Sequence, residues 1–286
     1  MYATLDLASL RKARLRTSLM TAGIFAAMVA ILYFCSSLMI GDDALLVAAA
    51  VALFLLTLTA NPSAGLVMRF AQAVPFPRSQ APDLYAAVAE LSRRAGLTES
   101  PTLWWLPSPG INAFAAGPPD DAGIAVSDGA LRALPRHELV SVLAHEVAHI
   151  AAGDTRLMMI GSVLFRITQV FAMFGLIAVT ALLVLTEDAA AAPVGLVMVL
   201  GLATPTAALL YLALSRNREF AADLTAARLT GDAVGLARAL ERIERYRMDG
   251  VSRSPLLRTH PDKTERVNRL LGNVRLVSPK PAILYY

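Results

Sequence analysis

The stretch of this chain best equipped for chemistry is His145-Glu146-Val147-Ala148-His149, two histidines four residues apart with a glutamate behind the first. Four residues is about one helical turn, so both imidazoles project from one face and can share one ion. Zn²⁺ accepts imidazole nitrogen at about 2.0–2.1 Å. Glu146, next to the first ligand, faces a metal-bound water and can take its proton. Leu139, Val140, Leu143, Val147 and Ile150 recur at helical spacing and Gly153 offers a stop, which predicts a helix over Pro135–Ala152. His137, in the first turn of that helix, falls far from the pair and reads as a surface residue.

A hydrolytic zinc needs a third protein ligand and keeps its fourth position open. The run Ser215-Arg216-Asn217-Arg218-Glu219-Phe220-Ala221-Ala222-Asp223 supplies two carboxylates on one helical face. Glu219 is the candidate ligand. Asp223 is the candidate acceptor for the far ring N–H of a ligating histidine, which fixes its tautomer. The chemistry that follows is peptide hydrolysis. Glu146 removes a proton from the metal-bound water as it attacks the carbonyl, the metal steadies the tetrahedral oxyanion, and Glu146 returns the proton to the leaving amine.

Four stretches together resemble the HtpX-type membrane zinc metallopeptidases, relatives of the CAAX prenyl proteases. They are Asn112-Ala113-Phe114-Ala115, the His145–His149 motif followed by Gly153-Asp154, the Ser215–Asp223 run, and Thr259-His260-Pro261 ahead of Arg266. The resemblance implies an integral membrane endopeptidase of the gluzincin type with one Zn²⁺ per chain, acting on protein or peptide substrates in membrane-protein quality control. It also implies that Asn112, Ala113 and Phe114 form a sheet edge that takes substrate as an added strand. Phe114 has an alternative use as core filling. His260 is implied as the second electrophile on the oxyanion. On the residues alone, Arg216 and Arg218 compete for that task, or meet anionic head groups.

Composition sets the surroundings. The chain of 286 residues is 56% hydrophobic and 17% charged, with a mean hydropathy of +0.55. Soluble domains carry roughly 25% charged residues. Here the excess apolar residues fall in long runs, so the lipid bilayer is a partner. Nucleic acid is not expected, because there is no glycine-rich phosphate loop and no aromatic-basic platform. The one cysteine, Cys35, lies inside an apolar run, where burial disfavours a thiolate and no intrachain disulfide is possible.

Four apolar runs are expected to span the membrane: Ser18 to about Ile40, Ala44 to about Thr59, Arg156 to about Leu185 with its span starting after Arg166 and Gln169, and Val194 to Leu214 with Pro205 inside. The acidic turns Asp42-Asp43 and Glu187-Asp188 carry no Lys or Arg, whereas the flanks at Arg11–Arg16, Arg69–Arg94, Arg156 and Arg216–Arg218 are basic. The positive-inside rule then places both termini and the catalytic domain in the cytoplasm, in a bacterial-type inner membrane. The zinc helix runs almost directly into the third span, so the metal is expected near the membrane surface.

The expected architecture is mainly α: four transmembrane helices plus a gluzincin-like cytoplasmic α+β catalytic domain. Residues 1–62 carry two spans, 63–156 the first part of the catalytic domain with the zinc helix, 157–214 two further spans, and 215–286 the second part with the third ligand. Leu66–Val74 reads as an amphipathic link and Asp83–Gly96 as a helix. Thr102–Leu106, Ile111–Ala116 and Gly123–Val126 read as strands of a small, mostly antiparallel sheet. Two other functions compete. A structural zinc site would need four closed ligands, often Cys, and leaves Glu146 without a purpose. A transporter using Arg166 and Gln169 would be expected to show an internal repeat. Within the peptidases, a CAAX-type protease would carry more spans than this chain holds.

Overall fold

A computed structural model describes residues 2–5, 7–43, 63–186, 194–248, 263–272 and 274–277, together with Leu46, Ala49, Ala50 and Leu53. The chain divides into two compact units. The first comprises Met1–Thr17, Asn61–Arg156 and Arg216–Tyr286, the second Ser18–Ala60 and Leu157–Ser215.

Within the first unit, the sheet is built from β2 (Val74–Pro75), β3 (Thr102–Leu106), β4 (Ala113–Ala116) and β5 (Gly123–Ser127), in the order β2-β3-β5-β4. The strand bounds are close to those expected. The pairing is mixed: the outer pairs β2–β3 and β4–β5 are antiparallel, and the central β3–β5 pair is parallel. The physical reason is burial. Gly123–Ser127 is covered at every position, and a strand covered on both faces belongs in the interior of a sheet. It therefore inserts between β3 and β4. A separate strand, β1 (Tyr2–Leu5), pairs antiparallel with β6 (Val274–Val277).

Helix α5 (Arg136–Ala152) runs through the middle of this unit and is buried at every residue from Glu138 to Ala148. Its neighbours in one apolar core are Val88 and Leu91 of α3 (Pro82–Ala95), Ile124 and Val126 of β5, and Leu236 and Leu240 of α8 (Ala233–Met248). Leu270 of α9 (Lys263–Gly272) joins the same core. Helix α5 ends where Gly153 takes the left-handed conformation at φ 65°, which costs glycine no Cβ clash. The short helices α2 (Ala64–Phe70) and α4 (Asp128–Ala133) flank the sheet.

One charge is buried at the start of α5. Glu138 is 2% exposed and accepts from Arg242 Nε and Nη2 of α8 at 2.8 and 3.2 Å. This two-point contact ties α5 to α8.

The second unit takes in parts of α1 (Leu7–Ile40), α6 (Asp154–Thr186) and α7 (Val194–Thr230), the last continuous through Pro205. Small clusters hold these helices together: Leu32 with Val163 and Ile167, and Cys35 with Ala172 and Ala203. Gly161 allows close packing, since a Cβ there would meet Leu214 Cδ2 at 2.7 Å. The outward faces are apolar, with Phe174 58% and Leu185 82% exposed, a surface that suits lipid rather than water. Among the described residues, three helices are long and apolar enough to cross a membrane. The expected span at 44–59 lies almost wholly outside the described residues.

Replacing Arg242 by Met should leave Glu138 buried without its partner and lower the thermal unfolding midpoint, a loss of about 1–3 kcal/mol. Adding Glu138→Gln should recover part of that loss. Unchanged unfolding in Arg242→Met would show that the pair does not hold α5 to α8.

Candidate metal centre

His145 and His149 share one face of α5, with ring centroids 4.6 Å apart and planes at 89°. Their Nε2 atoms lie 3.0 Å apart. Glu219, on the polar end of α7, places Oε2 3.4 Å from His145 Nε2 and Oε1 3.6 Å from His149 Nε2. One donor atom from each of the three residues falls within 4.8 Å of the others. Two donors at 2.0–2.2 Å from a tetrahedral ion sit roughly 3.3–3.5 Å from each other, which these separations bracket.

The far side of each ring is held in the same way. His145 Nδ1 lies 3.0 Å from Asp223 Oδ1, and His149 Nδ1 lies 2.7 Å from Asp154 Oδ2. Each carboxylate is gripped by an arginine. Arg266 donates to both oxygens of Asp223, at 2.8 and 2.6 Å, while Arg218 Nε donates to Asp154 Oδ1. If each neutral ring gives its Nδ1–H to its aspartate, each Nε2 presents a lone pair. Two lone pairs and a carboxylate then face one another in a site where His145 and Glu219 are both 6% exposed. That arrangement calls for positive charge at its centre. The donor set of two imidazoles and one carboxylate fits Zn²⁺.

The ring pKa values agree. Burial works against the charged form of both rings. For His149 the hydrogen bonds to Asp154 and Glu219 more than offset burial and push it up to about 10. His145 is likewise raised, by its hydrogen bonds to Asp223 and Glu219. Arg266, despite burial, is raised further by Asp223 and Glu219 and stays cationic.

Glu146 is 8% exposed and lines a cleft with His145, Asn112, Ala113, Val142 and Arg266. Asn112 and Ala113 enter this cleft at the edge strand β4. Ser127 N–H donates to Asn112 C=O at 2.9 Å, so Asn112 and Ser127 form a bonded pair. Antiparallel alternation then turns the N–H and C=O groups of Ala113 and Ala115 toward the edge that no strand covers among the described residues. Phe114 goes elsewhere: its ring packs with Met68, Ala73 and Ala125. His260, the expected second electrophile, lies outside the described residues.

Three residues near the metal had no role assigned from sequence, or a different one. Arg218 is committed to Asp154, which takes it away from oxyanion binding, and Arg216 is exposed. Asp154 directly follows the Gly153 stop, and the left-handed turn there sets its carboxylate 2.7 Å from His149 Nδ1. Arg266 joins Glu219 through Nη1, at 2.8 Å, as well as Asp223. Its signal was present: Val267 and Leu270 mark the buried face of α9 and Arg266 lies on it.

Asp223→Asn or Asp154→Asn should weaken metal affinity by about 10–100-fold, read by competition with a coloured chelator. Metal must expel protons held by the rings, so affinity should rise with pH at about tenfold per unit for each proton displaced, below the His149 value of about 10. Affinity that does not change between about pH 6 and 9 would contradict this account.

A model of peptidase family M48 matches residues 78–274. A protease HtpX homolog from Acaryochloris marina is 39% identical over 232 residues, 72% of this chain and 77% of the relative. Another from Pyrococcus abyssi is 32% identical over 277 residues, 90% and 94% of the two chains. The crystal structure of Ste24p from S. mikatae is similar over 94% of this chain and 67% of that one, with a TM-score of 0.46 and 18% identity. With the family model covering well over half of the residues and the relatives aligning across most of both sequences, the chain belongs to peptidase family M48 and is an HtpX-like metallopeptidase, a hydrolase of peptide bonds.

Proposed function

We propose that this chain is a zinc-dependent endopeptidase of a membrane, cutting extended segments of membrane or membrane-proximal proteins. One observation carries the reading. His145, His149 and Glu219 bring three donor atoms within 4.8 Å of one another, and His145 also lines, with Glu146, a cleft reached by the edge strand β4. When bound, zinc supplies Lewis acidity toward a water and the scissile carbonyl.

The remaining work belongs to the chain. His145, His149 and Glu219 hold the ion, and Asp223 and Asp154 hold the rings. Ala113 and Ala115 offer backbone N–H and C=O groups to an extended substrate, which adds as a strand. The substrate carbonyl is thereby fixed against the cleft wall that carries Glu146. Glu146 takes the proton of the attacking water and hands it to the departing amine. His260, six residues before Arg266, is the proposed further donor to the oxyanion. The catalytic unit is assigned to the cytoplasmic side by the basic flanks and acidic turns of the apolar runs.

Glu146→Gln should retain metal and lose cleavage of casein or a membrane-protein reporter by at least about 10³-fold. A chelator should abolish wild-type cleavage, and added Zn²⁺ should restore it. Near-normal cutting by Glu146→Gln would remove the general base from the mechanism, and chelator-resistant cutting would remove the metal.

A further inference from the structure

The edge strand that receives substrate needs its own support, because the turn leading into it has no ladder to fix it. Residues 107–112 connect β3 to β4, and Asn112 and Ala113 from this connection line the cleft with Glu146. A single hydroxyl governs the turn. Ser127 is 0% exposed. Its Oγ donates to Gly110 C=O at 2.7 Å and accepts from Asn112 N–H at 2.9 Å and Ala130 N–H at 3.1 Å. Its own N–H donates to Asn112 C=O. Ser127 thus satisfies both backbone groups of Asn112 while capping α4, and every bonding direction of the hydroxyl is used.

A second contact presses on the same turn. Gly129 N–H donates to Ser108 C=O at 3.0 Å. A Cβ at Gly129 would lie 2.1 Å from Pro109 O and 2.7 Å from Gly110 O, so the backbones touch where only glycine fits. The two contacts are independent in chemistry and converge on Pro109–Asn112.

We propose that Ser127, backed by Gly129, is a positioning residue for substrate. It locks Asn112 inward and so fixes which backbone groups of Ala113 and Ala115 face an incoming peptide. This rests on the peptidase reading above, in which β4 binds substrate. Ser127 touches neither substrate nor metal; it sets the presentation of the strand that does. Loss of the hydroxyl leaves the Asn112 N–H and the buried Gly110 C=O without their partner, and the turn shifts to recover them. Binding along the strand weakens, while the metal and Glu146 remain as they were.

The full-length protein in detergent or nanodiscs provides the test, as wild type, Ser127→Ala, Ser127→Thr and Gly129→Ala. Steady-state cleavage of a peptide, metal content and amide exchange over 110–115 are measured on each. Ser127→Ala should raise KM by roughly tenfold with kcat within about twofold, and metal content unchanged. Amides 110–115 should exchange faster, while those of 145–149 should not. Ser127→Thr, which keeps the hydroxyl, should return both readouts toward wild type. Gly129→Ala, which displaces the turn without deleting a bond, should raise KM in the same direction. An unchanged KM in Ser127→Ala overturns the proposal, as does a rise in exchange spread evenly over the unit, which marks a plain loss of stability. If the wild type shows no chelator-sensitive cleavage, the peptidase reading falls instead. The exchange pattern still decides whether Ser127 holds the turn.

Discussion

Charge balance at a buried point is the constraint on which this structure depends. Glu146, Glu219, Asp223 and Asp154 bring four formal negative charges to the site, and Arg266 and Arg218 bring two positive ones. Two negative charges are left, in a region largely closed to water. A divalent ion held between neutral imidazoles cancels them. Protons on the rings draw on the same carboxylates, whose hydrogen bonds raise both ring pKa values against burial, although a charge on His149 works against one on His145. Proton and metal are alternative occupants of one electrostatic well. Burial works against the Asp223 carboxylate, and Arg266 more than offsets it, so the acceptor behind His145 stays ionised. Arg266 therefore supports the metal site indirectly, by keeping Asp223 as an acceptor.

The fold meets this demand by bringing separate segments to one helix. Helix α5 is covered on all sides, so every neighbour must approach it directly. Glu219 and Asp223, one turn apart on α7, reach both histidines and one backing position together. Arg266 arrives from α9 on the buried face that Val267 and Leu270 define. Asp154 needs no distant element, because it follows His149 by five residues, across the left-handed turn at Gly153. Local turn chemistry supplies one backing carboxylate and long-range packing the other.

These two origins explain what could be read from the sequence. Periodicity and punctuation located the helix over 136–152, its Gly153 stop, the strand at 102–106 and the helix closed by Gly96, since each depends on neighbours within a turn or two. The grouping of His145, His149 and Glu219 was also readable, because ligand chemistry restricts the residue types and their spacing. Strand order was not: inserting β5 between β3 and β4 is decided by which strand is covered on both faces, a property of the assembled core. The role of Arg218 was hidden for the same reason. It reads as an oxyanion or head-group contact until its partner Asp154, 64 residues away, is in place. Phe114 had two readings, and the pleat chose between them by sending residue 114 to the opposite face from Ala113 and Ala115.

An open sheet edge is normally a hazard, since unpaired N–H and C=O groups invite other chains to pair. A peptidase that takes substrate as a strand must keep such an edge, so the hazard has to be contained without being removed. Here β4 is four residues long, and alternation leaves only Ala113 and Ala115 with groups facing outward. In the proposed binding mode these two residues register the peptide, and so short an edge offers little for another chain to pair with. Their methyl side chains let another backbone approach closely, while the bulky Phe114 between them is turned into the core. The turn before the strand is then the natural place for rigidity. It is pinned by one buried hydroxyl and one glycine contact and not by further strand pairing, which would close the edge to substrate.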